Sequence, residues 1–342
     1  MPTRVASEYL SAVLSFALRR VGQSIIVIAL AYTAVFFVLN VLPGNPIETQ
    51  ISNPENPISH DDAQALRDYY RLSDPAIVQF GVSVQRLFTG DLGYSLNSGQ
   101  SVARLLAQAL PSTLSLAAVA FVIAVALGFV IALSAVFAPW PSVRELARSL
   151  PPAFLSIPVF VTGLLALQFF SFSLGWVSAV RDEGLSSTVL AALPLALPVA
   201  APIAQILIQG LSNAAGQPYV EVLRAKGLGN ERVIFGHLVK NGSIPTVTMV
   251  AITVGELLAG SVITETIFNR TGIGYLTETA VRNQDTPIIQ AVVITVSVTF
   301  VVINLAVDVL YPLIDPRIDR TGGTSSPSGR TRATSDVEAV PA

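Results

Sequence analysis

Cysteine is absent from the 342-residue chain, and charged residues make up only 12% of it. The first absence excludes a disulfide framework, a thiolate metal centre and a cysteine nucleophile. The second is about half of what ordinary soluble domains carry. Histidine is scarce as well: with only His60 and His237, metal ligation and acid–base chemistry have little to draw on. His60 stands beside Asp61 and Asp62, but neighbours on a helix point apart, and acidic residues in a first turn complement the helix dipole. Capping therefore accounts for that cluster without a metal. No Gly-x-x-x-x-Gly-Lys-Ser/Thr loop occurs, so nucleotide phosphates are not gripped in the P-loop manner. A net charge of −2, with no basic tract or aromatic platform, gives no sign of nucleic acid as a partner. What the chain does have is apolar surface: 52% hydrophobic residues and a mean hydropathy of +0.63. That is the composition of an all-α, multi-pass membrane protein.

Residues 1–20 read as a lead-in, with Leu10, Val13, Leu14, Ala17 and Leu18 on one side. They suit either a helix lying in the inner headgroup layer or a plain extension of the first span. Apolar runs long enough to cross a core of about 30 Å follow at 21–42, 111–137, 150–176, 189–209, 244–268 and 287–313. Between the first two, residues 43–101 form a polar excursion. Within it Ser59 is placed to cap one helix, and Ser73-Asp74-Pro75 opens another whose apolar side carries Ile77, Phe80, Gly81, Val84, Leu87 and Phe88. Lys and Arg sort to one side: Arg4, Arg19 and Arg20, then Arg144 and Arg148, then Arg224, Lys226, Arg232 and Lys240, against Arg181, Arg270 and Arg282 on the other. Both termini and the loop 210–243 are therefore expected in the cytoplasm, and 43–101 outside. Residues 316–342, rich in Gly, Ser, Thr and Pro, lack hydrophobic periodicity and read as a disordered tail.

The loop 210–243 is too patterned to be a passive connection. Pro218 suits a first helical position, Tyr219, Val222, Leu223 and Lys226 share one face, and Gly227 ends the helix. A second helix, capped by Asn230, carries Val233, Ile234, His237 and Leu238 on one face and stops at Asn241-Gly242. Elsewhere Pro194, Pro198 and Pro202 recur every four residues on one face of the fourth span, either as a hinge or as a fixed kink. Glu256, between Gly255 and Gly260 near the middle of the fifth span, costs about 2.5–3.5 kcal/mol to place there. It is expected to line the pathway or an inter-subunit seam, or to make a structural hydrogen bond. Asn304 and Asp308, one turn apart in the last span, are further pathway or seam candidates, while Asp308 and Glu265 both read as structural rather than substrate-binding.

The run Tyr219-Val-Glu-Val-Leu-Arg-Ala-Lys-Gly227 with Pro245 resembles the EAA loop of ABC-importer permeases, in the form used by the dipeptide, oligopeptide and nickel subfamily, and specifically its B-type permease. Leu42-Pro-Gly-Asn-Pro46, Gly90-Asp-Leu-Gly-Tyr-Ser95, Leu110-Pro-Ser-Thr113, Thr264-Glu-Thr-Ile-Phe268 and the stretch Asn304 to Arg317 extend the resemblance over Leu18 to Ile318. Glu221-Val-Leu stands where the motif has Glu-Ala-Ala, and Val239-Lys240 where the wider superfamily has Leu-Pro. The resemblance implies a six-helix, type I importer fold in the bacterial inner membrane and transport of di- or oligopeptides by alternating access. It also implies a homologous permease partner, two ATPase subunits that hold ATP and Mg, an extracytoplasmic binding protein and surrounding lipid. Tyr219, Glu221, Val222, Arg224, Ala225, Lys226 and Gly227 would meet an ATPase. This chain would then be no enzyme and would bind no cofactor. Nickel complexes or oligosaccharides as cargo remain open. So does a stand-alone carrier or channel moving protons through Glu256 and Asp308, although the inverted repeat common in that class is not visible.

Overall fold

A computed structural model describes residues 2–41, 46–52, 59–178 and 184–314. The side chain of Asp308, the stripe from Leu10 to Leu18, most of the turn Leu42 to Pro46, the loop at Arg181 and Asp182 and the tail 315–342 lie outside that description. Among the described residues the regular elements are all helices, beside one isolated antiparallel bridge between Tyr94 and Ser101. A single helix, α1 (Pro2–Val41), joins the lead-in to the first span. Then come α2 (Pro46–Ile51), α3 (His60–Tyr70) and α4 (Ala76–Phe88). Ser59 Oγ accepts the Asp62 N–H at 3.1 Å and so caps α3.

The second span, α5 (Val102–Phe137), starts nine residues before Pro111, which lies inside it. Tertiary burial overrides the proline: Val102, Leu106 and Ala109 pack with Ile273, Ala280, Ile288, Ala291 and Val292. The stretch 150–176 is not one straight helix. Its first residues belong to α6 (Pro141–Ser156), and α7 (Val159–Ala166), continued by a π-helical segment over Leu167–Ser173, leaves it at 104°. Pro158 is the cause. It offers no N–H to the ladder and pushes Ile157 into an extended conformation, φ −100° and ψ 120°.

Next come α8 (Leu185–Ala215), α9 (Pro218–Ala225), α10 (Asn230–Val233), a π-helical turn Ile234–Leu238 and α11 (Val239–Gly242). The chain closes with α12 (Ile244–Ile267), α13 (Ile273–Arg282) and α14 (Thr286–Ile314). Among the described residues five helices are long and apolar enough to cross a membrane, six if the bent pair counts as one span.

The core sits between α5 and α8. Ala120, Ala124, Gly128 and Ala132 are buried along one edge of α5, and Ala192, Ala196, Ala200 and Ala204 along α8. Both rows repeat every four residues, and small side chains let helix backbones approach where lipid gives no hydrophobic drive to associate. The contact is tight: a Cβ on Gly128 would lie 2.7 Å from Ile203 Cγ2 and 3.3 Å from the Ala200 carbonyl. Gly128→Val is therefore expected to lower stability by about 1–3 kcal/mol through overpacking. Pairing it with Ile203→Ala should recover part of that loss in thermal melts of the purified protein. A Gly128→Val protein that melts like the parent would refute the close approach.

Candidate functional site

The loop between α8 and α12 is a folded unit. Gln217 is extended and Pro218 starts α9, where a missing N–H costs nothing. The helix ends in a Schellman motif: Leu228 N–H donates to the Leu223 carbonyl at 3.2 Å, Gly227 N–H donates to Arg224 at 2.9 Å, and Gly227 takes φ +80°. Val220, Val233 and Leu238 are at most 3% exposed, and Tyr219, Leu223, Leu228 and Ile234 pack around them with Phe137 at the end of α5. Asn241 Nδ2 donates to Tyr219 Oη at 3.3 Å, tying α11 back to α9. At the root of the loop, Gly210 of α8 and Gly242 of α11 touch backbone to backbone; a Cβ on Gly242 would lie 2.9 Å from the Gly210 carbonyl carbon.

Packing turns α9 away from the orientation its spacing suggests. Val220 and Leu223 face inward with Tyr219, whereas Val222 is 53% exposed and Lys226 points to solvent. The face left free presents Glu221, Val222, Arg224, Ala225, Lys226 and Gly227, with Phe235 of the π-helical turn 64% exposed nearby in sequence. In the second helix Val233, Ile234, His237 and Leu238 are all buried or half-buried. Asn230 is not a cap, because Gly229 holds that position and no side chain serves the first N–H groups.

The other candidates are spread over three helices. Pro194, Pro198 and Pro202 lie within α8 without interrupting it. Glu256 is exposed on α12, on the side that also shows Ile252 and Ile263, and a side chain on Gly255 would strike the Phe300 ring. Asn304 donates to the Phe300 carbonyl of its own helix at 2.8 Å rather than to Glu256. Among the described residues no group of three His, Asp or Glu side chains is placed to hold a metal.

At the opposite end from the folded loop, the structure brings together residues that sequence reasoning left apart. Glu265, at 0% exposure, accepts from Thr113 Oγ1 at 2.7 Å, from Gly274 N–H at 2.7 Å and from Tyr275 N–H at 3.2 Å. Thr113 Oγ1 in turn accepts the Ile273 N–H at 2.8 Å. These bonds satisfy the first N–H groups of α13 in place of an N-cap side chain. Arg270, counted by sequence as a loop charge, is only 6% exposed. Asp285, just before α14, accepts from Ser95 Oγ at 2.6 Å and from Asn97 Nδ2 at 3.3 Å, which clamps the Gly90–Ser95 motif to the head of the last helix. Within the excursion, Arg67 beside Glu48 holds that carboxyl below the usual range, with 2.6 Å between Nη2 and Oε1. Burial pushes the Tyr70 phenol up to about 12, so it stays neutral and donates to the Tyr94 carbonyl at 3.1 Å.

Residues 124–320 match the family described as "Binding-protein-dependent transport system inner membrane component". The glutathione transport system permease protein GsiC of Salmonella paratyphi A is 33% identical over 310 residues, covering 89% of this chain and 99% of that protein. The chain belongs to this permease family. A probable peptide ABC transporter permease protein, y4tP of Sinorhizobium fredii, is 31% identical to the permease over 311 residues, 89% of this chain and 98% of its own. A chain of the inward-facing MetNI methionine ABC transporter superposes with a TM-score of 0.52 at 16% identity, over 61% of the permease and 96% of that chain, a likeness of fold alone. The permease is a multi-pass inner-membrane subunit of an ABC importer, with a binding protein and an ATPase as partners. It holds no cofactor, and ATP is hydrolysed by the ATPase.

Removing Glu265 strands several buried donors at once, at about 1–3 kcal/mol for each group left unsatisfied. Glu265→Ala is therefore expected to lower the melting temperature sharply. Glu265→Gln should be milder, since its oxygen still accepts from Gly274 and its amide can donate to Thr113 Oγ1. Equal melting of both variants and the parent would show that this buried cap contributes nothing.

Proposed function

We propose that the permease, paired with a homologous subunit, forms the pathway of an importer for small peptides, glutathione among them, and takes its power stroke through α9. Both termini and the α8–α12 loop face the cytoplasm, in keeping with Arg19, Arg20, Arg224, Lys226, Arg232 and Lys240 on that side. The observation that carries this reading is the two-sidedness of the loop. Its inner face is locked to α8 and α5 by Val220, Leu238 and the Gly210–Gly242 contact, while Glu221, Val222, Arg224, Ala225 and Lys226 are free. A surface so fixed moves α8 when it is pulled.

Because α8 is continuous through Pro194, Pro198 and Pro202, it passes that movement on as a rod, and the prolines shape its path. Glu256, exposed on α12, faces the pathway or the seam with the partner permease, and Asn304 and Asp308 are further candidates for either place. Two packings that differ by a few kcal/mol suffice for alternating access. The peptide cargo rests on the permeases of Salmonella and Sinorhizobium, whose names state glutathione and peptide.

The test is uptake into proteoliposomes holding the assembled importer and its binding protein. Val222→Asp or Ala225→Asp, on the free face, should lower ATP-dependent uptake of labelled di-, tri- and oligopeptides by at least tenfold while insertion and melting stay normal. Unchanged uptake would sink the role of α9. Flux by the permease alone without nucleotide would favour a self-sufficient carrier, and competition by nickel complexes or oligosaccharides instead of peptides would reassign the cargo.

A further inference from the structure

Helix α4 lies in the excursion between the first two spans, yet it touches the first span deep along its length. The Phe80 ring centre is 5.2 Å from that of Phe36, 5.5 Å from Phe37 and 6.0 Å from Tyr32. Ser83 Oγ and Tyr32 Oη share a short hydrogen bond. Tyr32 stands nine residues from Val41 at the far end of α1, about 13 Å along the axis, and about 18 Å from Arg20 at the other limit of the apolar run. In a core of about 30 Å neither distance puts Tyr32 in water. Ser83 and Phe80 therefore meet α1 within the thickness of the bilayer. The paired hydroxyls fit such a place, where an unshared polar group would be costly.

Among the described residues nothing packs against the other face of α4. Ile77 is 67% exposed, Val78 43% and Phe88 86%, with Gly81 between them and Gln85 at the margin. Ile77, Gly81, Val84 and Phe88 fall on one side of the helix, opposite Ser83. The first span beside it is apolar and exposed as well, with Leu30 64% exposed and Val38 59%.

We propose that α4 is seated in the outer leaflet, with Ile77, Gly81, Val84 and Phe88 against lipid acyl chains. It would then hold the excursion at a set depth. The choice of leaflet rests on the orientation given under Proposed function; the embedding rests only on α1 being a span. A helix with one apolar and one polar face takes this position when its apolar side is free.

Because the permease has no cysteine, one introduced thiol gives one label on this chain. Nitroxides placed by Ile77→Cys, by Phe88→Cys and, as an aqueous reference on α3, by Ala65→Cys are compared in the assembled importer in lipid nanodiscs, with the other subunits made cysteine-free. At 77 and 88, oxygen should enhance relaxation at least threefold more than the water-soluble nickel chelate NiEDDA does, and the order should reverse at 65. Greater access for NiEDDA at either test site would overturn the proposal by placing α4 in water. Protection from both reagents would also overturn it, since a protein subunit would then cover the stripe. A doxyl-lipid depth series that places the labels in the inner leaflet would refute the orientation while leaving the embedding intact.

Discussion

Close approach between α5 and α8 is the contact on which everything else in the permease depends. In a bilayer two apolar helices gain nothing by leaving lipid, so they associate only when their surfaces fit more closely to each other than to acyl chains. Rows of alanine and glycine at four-residue intervals provide that fit, and α12 joins through Leu257 against the same cluster. Larger residues could not take those places without separating the backbones, as the proximity of Gly128 to Ile203 makes plain. With α8 fixed in the centre, its C-terminal end carries the folded loop of α9 to α11, and the Gly210–Gly242 contact leaves no slack between them.

At the other end of the molecule the governing constraint is polar. Wherever the chain turns near lipid, each free N–H must find a partner inside the protein. Glu265 and Thr113 do this for α13, and Asp285, Ser95 and Asn97 do it where the excursion meets α14. Short motifs that look unrelated along the chain are thus halves of the same bonds. Leu110-Pro-Ser-Thr113 meets Thr264-Glu-Thr-Ile-Phe268, and Gly90-Asp-Leu-Gly-Tyr-Ser95 meets Asp285. Shared hydrogen bonds across distant segments stiffen this end of the permease without a disulfide.

Between these ends one face of α12 is left open. Among the described residues none covers Glu256, and a charged residue in a span has to be met by something more than they supply. An exposed charge of this kind accords with a family whose members work in assemblies.

Much of this was readable from the sequence, because it is local. Hydropathy marks the long helices, Ser59 announces the cap of α3, and Pro218 and Gly227 bracket α9 by chemistry that acts within one turn. The bend after Ser156 was also written there, in Ile157-Pro158, but an average over apolar residues passes across a single proline. Periodicity put Tyr219, Val222, Leu223 and Lys226 on one face of α9 without saying which side is buried; Ala214 and Phe137, supplied by other helices, draw Val220, Tyr219 and Leu223 inward and leave Val222 outside. Glu265 offered a lone carboxylate in an apolar run; its partner Thr113 lies 152 residues earlier, and no spacing rule reaches so far. The sequence by itself determined helices, their ends and the membrane they require, because those follow from neighbours along the chain. Only the tertiary structure decided which faces meet and which carboxylates are buried, because those depend on surfaces contributed by distant segments.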